Sequence, residues 1–546
     1  MNRRAVIAAA PLALAGCGQA GATYFGRTEP PRSQRLVYLL DADVTTLDPV
    51  LSASYAEAYI IHALFEGLTS LDPATGAPRA ALATHFEMMP DRLRYTFYLR
   101  GHRSPRGTAL SPVPSLPAAA ARWSDGSVIT AHDFVRSWRR AADPDTAAEL
   151  AFLLNCVRNA QGIVARKLAP ENLGVRAIDE FTLQADLEFP APYFLELASH
   201  RVLCPSSSRP TAASGAFTLK ERRFNDRIVL SRNPKYYDAG QVALDELAFL
   251  VVPDPTARAN MYKAGDADVM AAYLPAILPA LSRTKDLHTF RSYTSFFAVM
   301  NTKAPPFDDV RVRYAFNMAT EKKPLTDLLN GLTPAASLAP SVAGYETPRS
   351  LPVTIDGTVY DVLSFNPRAA RALLAKAVGD RPLRTEYLLP ARAPAERLMA
   401  EVLQQQWRNT LGIDLTLSIR DVAVWAEDVR NGNYTGVADW GVAGGYVDPA
   451  FFLDQFAIGN GANPSGWSDP HYDAMLREAR TATDPAERMK KLAGCERRLL
   501  GAMPFIPLFT DAWIYLWKPY VRGLGSNPLD RQQFKYASID TTWRPS

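Results

Sequence analysis

Apolar runs and polar alternation in the first hundred residues predict strands flanking a helix. Residues 36–40 form an unbroken apolar run of strand length, and residues 94–99 alternate as a half-buried strand does. Between them, residues 56–68 carry apolar side chains at helical spacing and include Gly67 as a stop signal. The segment order predicted here is strand, helix, strand.

The same two periodicities continue to the end of the chain. Strands are predicted at 217–219, 227–230, 247–252 and 437–446; amphipathic helices are predicted at 367–377, at 393–411 and on both sides of Asp484-Pro485 within 470–500. We find no internal repeat and no heptad pattern in the sequence. The pattern as a whole predicts a mixed α/β protein.

The N-terminus has the pattern of an exported lipoprotein. Arg3-Arg4 precedes a short apolar run at 5–15, which is far below the ~20 residues that span a bilayer. Leu14-Ala15-Gly16-Cys17 then resembles a lipobox. We expect residues 1–16 to be a signal peptide and Cys17 to be acylated, since several acyl chains give a stable anchor. An ordinary cleaved signal is the alternative, and both Sec and twin-arginine export stay open.

Length and charge further narrow the classes of protein to which the chain could belong. The 546 residues suggest two to four domains. Removing residues 1–16 takes away Arg3 and Arg4 and no acid, so the formal net charge falls from +4 to +2. There is no basic tail, and nucleic-acid binding is therefore not expected. Residues 17–35 are rich in Gly, Pro, Thr and Ser and predict a flexible tether.

Three cysteines follow Cys17, namely Cys156, Cys204 and Cys495. No C-x-x-C motif occurs, so neither a zinc site nor a thioredoxin-type site is indicated. Two interpretations stay open. Cys156 and Cys204 could pair in an oxidising compartment, or all three are small buried hydrophobic residues, which is the interpretation we favour.

Motifs of the common enzyme classes are missing from the sequence. None of the seven histidines lies in an H-E-x-x-H motif or a close His/Cys cluster, and there is no G-x-S-x-G elbow and no P-loop. We expect no metal site, no cofactor and no enzymatic activity. A catalytic triad scattered along the chain is not excluded, because its members need only meet in space.

A series of short motifs follows in fixed order from residue 46. They are TLDP at 46–49, LFEGL at 64–68, RWSDG at 122–126, TAHDF at 130–134 with Trp138, GAF at 215–217, NPKYY at 233–237, YKAGDAD at 262–268, and Asn301 with PPFDDVRVR at 305–313. In this order, behind a lipobox, they resemble family 5 of the ABC-importer solute-binding proteins, the oligopeptide-binding type. We interpret Asp125-Gly126 as a tight turn and Thr130 as a helix N-cap.

The resemblance implies an α/β fold of the periplasmic-binding-protein type II, with two lobes around a cleft and an extra domain inserted in lobe I. The division it predicts is as follows: signal peptide at 1–16, tether at 17–35, lobe I at 36–75, 208–297 and 511–546, extra domain at 76–207, and lobe II at 298–510.

The resemblance also implies a function. Such a protein captures oligopeptides or dipeptides in the cleft, holds the peptide backbone by strand-like hydrogen bonds and delivers the peptide to an ABC permease and its ATPase subunits. The expected location is the periplasmic or cell-surface face of the membrane, held by the N-terminal lipid. We expect a monomer that binds a peptide or similar small solute, without nucleic acid.

In the family, a strand of lobe II ends in an aspartate that pairs with the α-ammonium group of the peptide. Here that strand resembles residues 437–446, and the aspartate position holds Gly445. Alternate residues of a strand share a face, so Asp439 is placed with Gly441. We hypothesise that Asp439 provides a cation partner; a salt-bridged or solvated aspartate is the alternative.

The predicted ligand-binding residues come from both lobes. Ser54 and Tyr55 match the lobe I backbone site, and Arg397, beside Glu396, suits a ligand carboxylate. Glycines permit close backbone approach, and a bulge is their alternative; each aromatic has a core position as its alternative. The full set is Ser54, Tyr55, Tyr293, Phe296, Arg397, Trp425, Asp439, Gly441, Ala443, Gly445 and Tyr446.

Other functions remain open. The same fold with Gly445 in place of the aspartate suits a non-peptide solute, such as an opine, an oligosaccharide, a metal chelate or haem. A secreted hydrolase is a remote alternative, kept because fold alone does not fix function. A sensing lipoprotein that feeds a receptor and not a permease also stays open, since the sequence does not separate it from a transport protein.

Overall fold

The computed structural model describes residues 24–111, 118–207, 209, 211–272, 278–329, 332–379, 382–391, 394–458, 460 and 463–545. The strands of this part are β1 Arg35–Leu40, β2 Thr69–Leu71, β3 Pro78–Ala80, β4 Ala83–Met88, β5 Arg94–Leu99, β6 Thr108–Ala109, β7 Val175–Asp179, β8 Thr182–Asp186, β9 Phe217–Arg223, β10 Arg227–Arg232, β11 Glu246–Val251, β12 Val269–Ala271, β13 Leu287–Arg291, β14 Thr294–Met300, β15 Thr333–Pro334, β16 Pro352–Ile355, β17 Thr358–Asp361, β18 Arg384–Pro390, β19 Asp414–Arg420, β20 Val437–Ala443, β21 Phe505–Thr510, β22 Ala512–Trp517, β23 Val521–Arg522 and β24 Ser538–Ile539.

The α-helices of the same part are α1 Tyr55–Leu64, α2 Ala131–Ala142, α3 Ala160–Val164, α4 Phe194–Leu197, α5 Pro255–Ala264, α6 Leu278–Leu281, α7 Val310–Met318, α8 Lys322–Leu329, α9 Pro367–Val378, α10 Pro394–Leu411, α11 Val422–Asn431, α12 Ala450–Leu453, α13 Pro470–Thr481 and α14 Pro485–Ala502. The predicted strands and helices are present, and β5 has the predicted bounds. The strand predicted at 437–446 ends at Ala443, where its pairing with β14 ends, and the helix predicted at 56–68 ends at Leu64.

Lobe I is built on a seven-stranded sheet in the order β13-β22-β12-β1-β11-β10-β9. β1 runs parallel to β11 and β12 at the centre. Its residues alternate between two cores: Leu36 and Tyr38 pack with α1 on one face, and Val37 and Leu39 pack on the other. Because α1 follows β1, its N-terminus lies at the carboxyl edge of the sheet, where ligands bind in open α/β sheets.

The extra domain contains a five-stranded sheet in the order β6-β4-β5-β8-β7, covered by α2. Its motif residues are structural, as interpreted from the sequence. The Asp125 carboxylate accepts the Ser127 N–H at 2.8 Å around Gly126, whose φ is +94°. The Asp133 carboxylate accepts the Thr130 N–H at 2.8 Å and so caps α2.

Lobe II is built on a six-stranded sheet in the order β15-β21-β14-β20-β18-β19. One continuous cluster of buried apolar residues joins this lobe to the extra domain, with members as far apart as Trp138 and Phe297. The extra domain therefore interrupts the sequence of lobe I but shares its core with lobe II.

Two segments cross between the lobes. The first is Ser292-Tyr293 between β13 and β14, and the second is Asp511 between β21 and β22. They are bonded to each other, since the Ser292 hydroxyl donates to the Asp511 carbonyl at 2.7 Å. β14 belongs to the lobe II sheet, so residue 297, the predicted end of one lobe I segment, lies inside a strand of that sheet.

The described part of the predicted tether is packed against lobe I. The Phe25 N–H donates to the Asp286 carboxylate at 3.1 Å, and the Phe25 ring stacks on Tyr262 at 6.2 Å between centroids. The Arg27 N–H donates to the Lys263 carbonyl at 2.9 Å. Phe25 and Arg27 of this segment thus have partners in lobe I that the composition of the segment does not reveal.

The three cysteines of the described chain, Cys156, Cys204 and Cys495, are free and buried. This confirms the favoured interpretation and contradicts a Cys156–Cys204 pair. Cys17 and the signal peptide lie outside the described residues. Among the helices that the structure describes, none is long and apolar enough to cross a membrane.

Candidate functional site

The candidate site lies between the carboxyl edge of the lobe I sheet and the crossing end of the lobe II sheet. Strand β20 carries most of the predicted residues. It pairs with β14 from Val437 to Ala443, but β18 pairs with it only at Val437 and Ala438. In the described chain, residues 440–443 therefore have a strand on one side only. We call this segment the open edge.

An aromatic pair lies beside the open edge. Phe296 of β14 is the cross-strand neighbour of Gly441 and of Phe509 on β21, and the two rings stack at 5.0 Å. Gly441 is exposed although its strand is central in the sheet. A Cβ added there would lie 2.6 Å from the Phe296 ring, so only glycine leaves this stretch of backbone accessible.

Lobe I contributes the N-terminus of α1. The Ser54 hydroxyl accepts the Glu57 N–H at 3.2 Å, and the Glu57 carboxylate accepts the N–H groups of Ala53 and Ser54 at 3.0 Å. Burial opposes ionisation of Glu57. The hydrogen bonds to its carboxylate, of which the one from Thr45 has the largest effect, nevertheless lower its pKa to about 2. Ser54 is thus a helix cap with an exposed side chain.

Tyr55 and Trp513 form a second aromatic pair. The Tyr55 ring is 42% exposed and meets the edge of Trp513 at 5.2 Å between centroids. Trp513 is buried and donates its indole N–H to the Pro528 carbonyl at 3.1 Å. The exposed face of Tyr55 is consequently held in place by a fixed partner.

Beyond the open edge, the chain is packed against the extra domain. A Cβ on Gly445 would lie 2.8 Å from a methyl carbon of Leu153 and 3.0 Å from the Phe451 ring. The next residue, Tyr446, stacks on Tyr193 at 3.7 Å with an interplanar angle of 3°. We call Leu153, Tyr193, Gly445, Tyr446 and Phe451 the sealed corner. The family aspartate is absent there, and its side chain has no space.

Arg531 closes the sealed corner from lobe I. Its buried guanidinium donates to the carbonyl of Gly445, to the carbonyl of Glu196 and to the Ser199 hydroxyl. The Val447 N–H donates to the Glu196 carboxylate at 3.0 Å. Burial raises the pKa of Glu196 to about 7, although the positive charge of Arg531 opposes the shift. One arginine thus connects lobe I, lobe II and the extra domain.

The predicted cation partner Asp439 lies in the interior of lobe II. It is 2% exposed, and the Tyr387 hydroxyl donates to its carboxylate at 3.5 Å. Positions 439 and 441 face the same side of β20, but only Gly441 is exposed. This placement favours the structural alternative for Asp439 over a role as ligand partner.

The remaining predicted residues divide between core and surface. Tyr293 is buried, and its ring meets Phe452 at 5.1 Å. Trp425 is buried against Trp440 at 5.2 Å. Arg397 is exposed and paired with Glu401 on its own helix at 2.9 Å. Ala443 ends β20 opposite Thr294. The structure therefore places Phe296, Gly441 and Ala443 together on β14 and β20 and Tyr55 against Trp513, and it leaves Arg397 with a partner of its own.

Sequence reasoning missed Phe509, Trp513, Leu153 and Arg531. The first two belong to two nearly continuous apolar runs of strand length that the sequence displays at 505–509 and 512–517. Leu153 and Arg531 contact the chain at Gly445 from distant parts of the sequence and carry no local signal. Within the described residues, no group of three or more His, Cys, Asp or Glu side chains is arranged to hold a metal ion.

Comparisons with known proteins match this architecture. Residues 119–464 match the profile described as "Bacterial extracellular solute-binding proteins, family 5 Middle". The chain is 31% identical over 518 residues to the probable deoxycholate-binding periplasmic protein YgiS of Escherichia coli K12, covering 90% of both chains. It is 28% identical over 559 residues to the periplasmic oligopeptide-binding protein OppA of the same organism, covering 97% of both.

Solved structures are similar over nearly the whole length. The Escherichia coli murein tripeptide binding protein MppA superposes with a TM-score of 0.80 at 27% identity, covering 94% of this chain and 99% of that one. Haemophilus influenzae OppA in complex with the peptide RPPGFSPFR superposes with a TM-score of 0.79 at 26% identity, covering 94% and 100%.

Proposed function

Because this chain belongs to family 5 of the bacterial extracellular solute-binding proteins, we propose that it captures oligopeptides or dipeptides in its interlobe cleft and delivers them to an ABC importer. The fold is that of a type II periplasmic binding protein, as predicted. The family consists of binding proteins of transporters. The observation that carries the proposal is the open edge at residues 440–443.

The open edge suits an extended peptide. The main-chain groups on the side away from β14 have no second strand beside them in the described chain, and a peptide lying there adds a strand to the sheet. Main-chain hydrogen bonds are the same for every peptide, so they support affinity without choice of sequence. The aromatic pairs Phe296–Phe509 and Tyr55–Trp513 offer apolar walls for side chains.

Closure follows from the two crossing segments. Each segment is a short connection between two rigid sheets, which is the geometry of a hinge. A peptide that contacts Tyr55 on lobe I and the open edge on lobe II stabilises the closed arrangement through contacts that the open arrangement lacks. Ser54, Tyr55, Phe296, Gly441 and Ala443 are the residues that we propose for the contact surface.

A thermal-shift screen of the purified protein with tripeptides to pentapeptides tests the proposal. A peptide present at a hundred times its dissociation constant should add about 2.7 kcal/mol to the stability of the folded state, and so raise its Tm. Small-angle scattering should report a more compact particle with the same peptide. A library in which no peptide raises Tm would contradict the proposal.

A non-peptide solute is the second candidate, and the sealed corner favours it. Leu153 and Phe451 fill the space at Gly445 where the family aspartate would receive an amino terminus. A relative at 31% identity bears the name of a probable deoxycholate-binding protein. A parallel screen with deoxycholate, opines, oligosaccharides, metal chelates and haem distinguishes the two candidates by which compound raises Tm.

We further propose that the chain acts by binding alone. A secreted hydrolase on the same scaffold predicts cleavage of the bound compound. Mass spectrometry of a peptide recovered after prolonged incubation with the protein tests this, and the expected result is an unchanged peptide. Appearance of any product in proportion to protein concentration would support the hydrolase.

The proposed location is the periplasmic or cell-surface face of a membrane, where the protein acts as a monomer beside its permease. The relatives compared above are named periplasmic proteins. The lipobox supports acylation at Cys17 by palmitate-type chains after removal of residues 1–16. Cys17→Ser should move the protein from the membrane fraction to the soluble fraction. An unchanged distribution would favour an ordinary cleaved signal.

A further inference from the structure

A free amino terminus that enters a cleft needs a negative partner there, because a charged amine loses water as the lobes close. Neither Gly445 nor Asp439 offers one. Gly445 has no side chain and no space for one, and Asp439 is buried beneath Tyr387. A peptide with a free amine must therefore find its carboxylate elsewhere in the site.

Asp511 occupies a suitable place. It is the crossing residue between β21 of lobe II and β22 of lobe I. Its backbone is fixed on both sides of the residue: the Asp511 N–H donates to the Thr294 hydroxyl at 3.3 Å, and its carbonyl accepts from the Ser292 hydroxyl at 2.7 Å. The backbone of Asp511 is thus held by the residues of the two segments that cross between the lobes.

Asp511 lies in the chain between one member of each aromatic pair of the site. Phe509 precedes it by two residues at the end of β21, and Trp513 follows it by two residues at the start of β22. Phe509 stacks on Phe296, beside Gly441. Trp513 meets Tyr55, which is exposed. The charge of Asp511 also acts on Tyr55, so the carboxylate lies near the exposed tyrosine of lobe I.

The carboxylate is partly buried and lacks a cationic partner. One oxygen accepts the Ala512 N–H at 2.7 Å. No ion pair in the described part of the chain includes Asp511. Burial raises its pKa to about 6, against the Ala512 hydrogen bond. A neighbouring cation would favour the charged form of Asp511, and the ammonium group of a peptide bound in the closed cleft is such a cation.

The other charged groups that act on Tyr55 have partners of their own, and Arg291, the cross-strand neighbour of Ala512, donates to the Ser341 carbonyl. Burial, followed by the charges of Asp530 and Asp511, raises the pKa of Tyr55, so this hydroxyl stays neutral. Asp530 accepts hydrogen bonds from the hydroxyls of Tyr59 and Tyr515. Arg201, which also acts on Tyr55, donates to the Ala53 carbonyl at 2.9 Å. Asp511 is the acid that these contacts leave available.

We propose that Asp511 pairs with the α-ammonium group of the bound peptide, in place of the aspartate that the family carries at the position of Gly445. The inference rests on the proposed function and adds the residue that selects for a free amine. The aromatic pairs of the site add to the attraction, since a cation is attracted to aromatic faces. A charge-assisted hydrogen bond between Asp511 and the ammonium group sets the register of the peptide along the open edge.

The test uses the full-length protein, the tightest peptide from the tripeptide-to-pentapeptide library and its N-acetylated form. Isothermal titration should show that Asp511→Asn weakens binding of the free peptide about 10- to 100-fold, as for loss of a hydrogen bond to a charged group. Binding of the acetylated peptide should stay within about twofold of wild type. Asp439→Asn is the matched control and should leave the ratio of the two affinities unchanged.

A pH series on the wild-type protein gives a second reading that needs no variant. Asp511 becomes charged as pH rises through about 6, so affinity for the free peptide should increase about tenfold between pH 5 and pH 7. Affinity for the acetylated peptide should not follow this rise. Asp511→Asn should abolish the difference between the two peptides.

The outcomes distinguish the proposed function from the role of Asp511. If no library peptide binds the wild-type protein, the proposed function fails. If peptides bind but the wild-type protein does not discriminate free from acetylated forms, Asp511 has no such role. If Asp511→Asn loses affinity for both peptides equally, the residue acts in the hinge alone and the inference is overturned.

Discussion

The open edge and the sealed corner lie a few residues apart on one segment, yet they have opposite properties. At Gly441 the missing side chain leaves accessible backbone beside an aromatic ring. At Gly445 the missing side chain makes space for Leu153 and Phe451. The same residue type thus serves ligand approach at one position and packing between domains at the other. The role of a glycine in a binding strand therefore depends on the side chains that surround it.

The largest effect should come from removing the arginine behind the sealed corner. Arg531→Met leaves the Gly445 carbonyl and the Ser199 hydroxyl without their donor and Glu196 without its nearby positive charge. We expect a loss of about 3–5 kcal/mol in the free energy of unfolding, measured by urea denaturation.

Arg384→Met is the control, because Arg384 pairs with Asp414 at the surface with 85% of its side chain exposed. It should change stability by less than about 0.5 kcal/mol. If the two variants lose similar stability, the sealed corner is not held by Arg531.

A side chain added in the sealed corner should have the next largest effect. Gly445→Asp places a side chain within 2.8 Å of Leu153 and should cost about 1–3 kcal/mol through overpacking. Leu153→Ala makes room for it, so the double variant should be more stable than the sum of the single effects predicts, by about 0.5–3 kcal/mol. A double-mutant cycle with urea denaturation measures the coupling. Strict additivity would mean that Leu153 does not occupy this space.

A side chain added at the open edge should weaken binding. Gly441→Val must displace the Phe296 ring and covers the backbone that we propose for peptide contact. Affinity for the best library peptide should fall at least about tenfold, or ~1.4 kcal/mol. Gly494→Ala on α14 is the matched control, because its added Cβ finds only ordinary contact with Met475. That variant should bind normally; normal binding by Gly441→Val would remove the open edge from the proposal.

The last prediction concerns the slope of stability with pH. Burial raises the pKa of Glu196 to about 7, well above its unfolded value of about 4.3. The folded protein then binds the extra proton, so Glu196 makes stability fall as pH rises from about 4.3 to 7. Glu196→Gln should reduce this slope by at most about 1.4 kcal/mol per pH unit. Parallel stability curves for the two proteins would contradict the assignment.

The sequence predicted the architecture well, because the fold depends on periodicity and on local turn chemistry. Residues 94–99 alternate visibly, and Asp125-Gly126 carries its turn within a few residues. The contacts of the predicted tether could not be predicted in the same way. The contact between Phe25 and Asp286 joins residues far apart in the chain, and composition alone does not show it.

The site was only partly predictable, for the same reason. Alternation places Asp439 and Gly441 on one face, but it does not reveal that Tyr387 covers one of them. The absence of the family aspartate at Gly445 is readable in the sequence. The space taken by Leu153 depends on how the extra domain meets lobe II, which no local pattern encodes.

The three free cysteines have a practical consequence. Burial raises the pKa of the thiols of Cys156, Cys204 and Cys495, so a labelling reagent attacks each thiol only after local opening. Cys156 lies in the same 3₁₀ helix as Leu153, Cys495 lies in α14, and Cys204 lies near the end of the extra domain. Their separate modification rates would time the loosening of three parts of the molecule without any engineered probe.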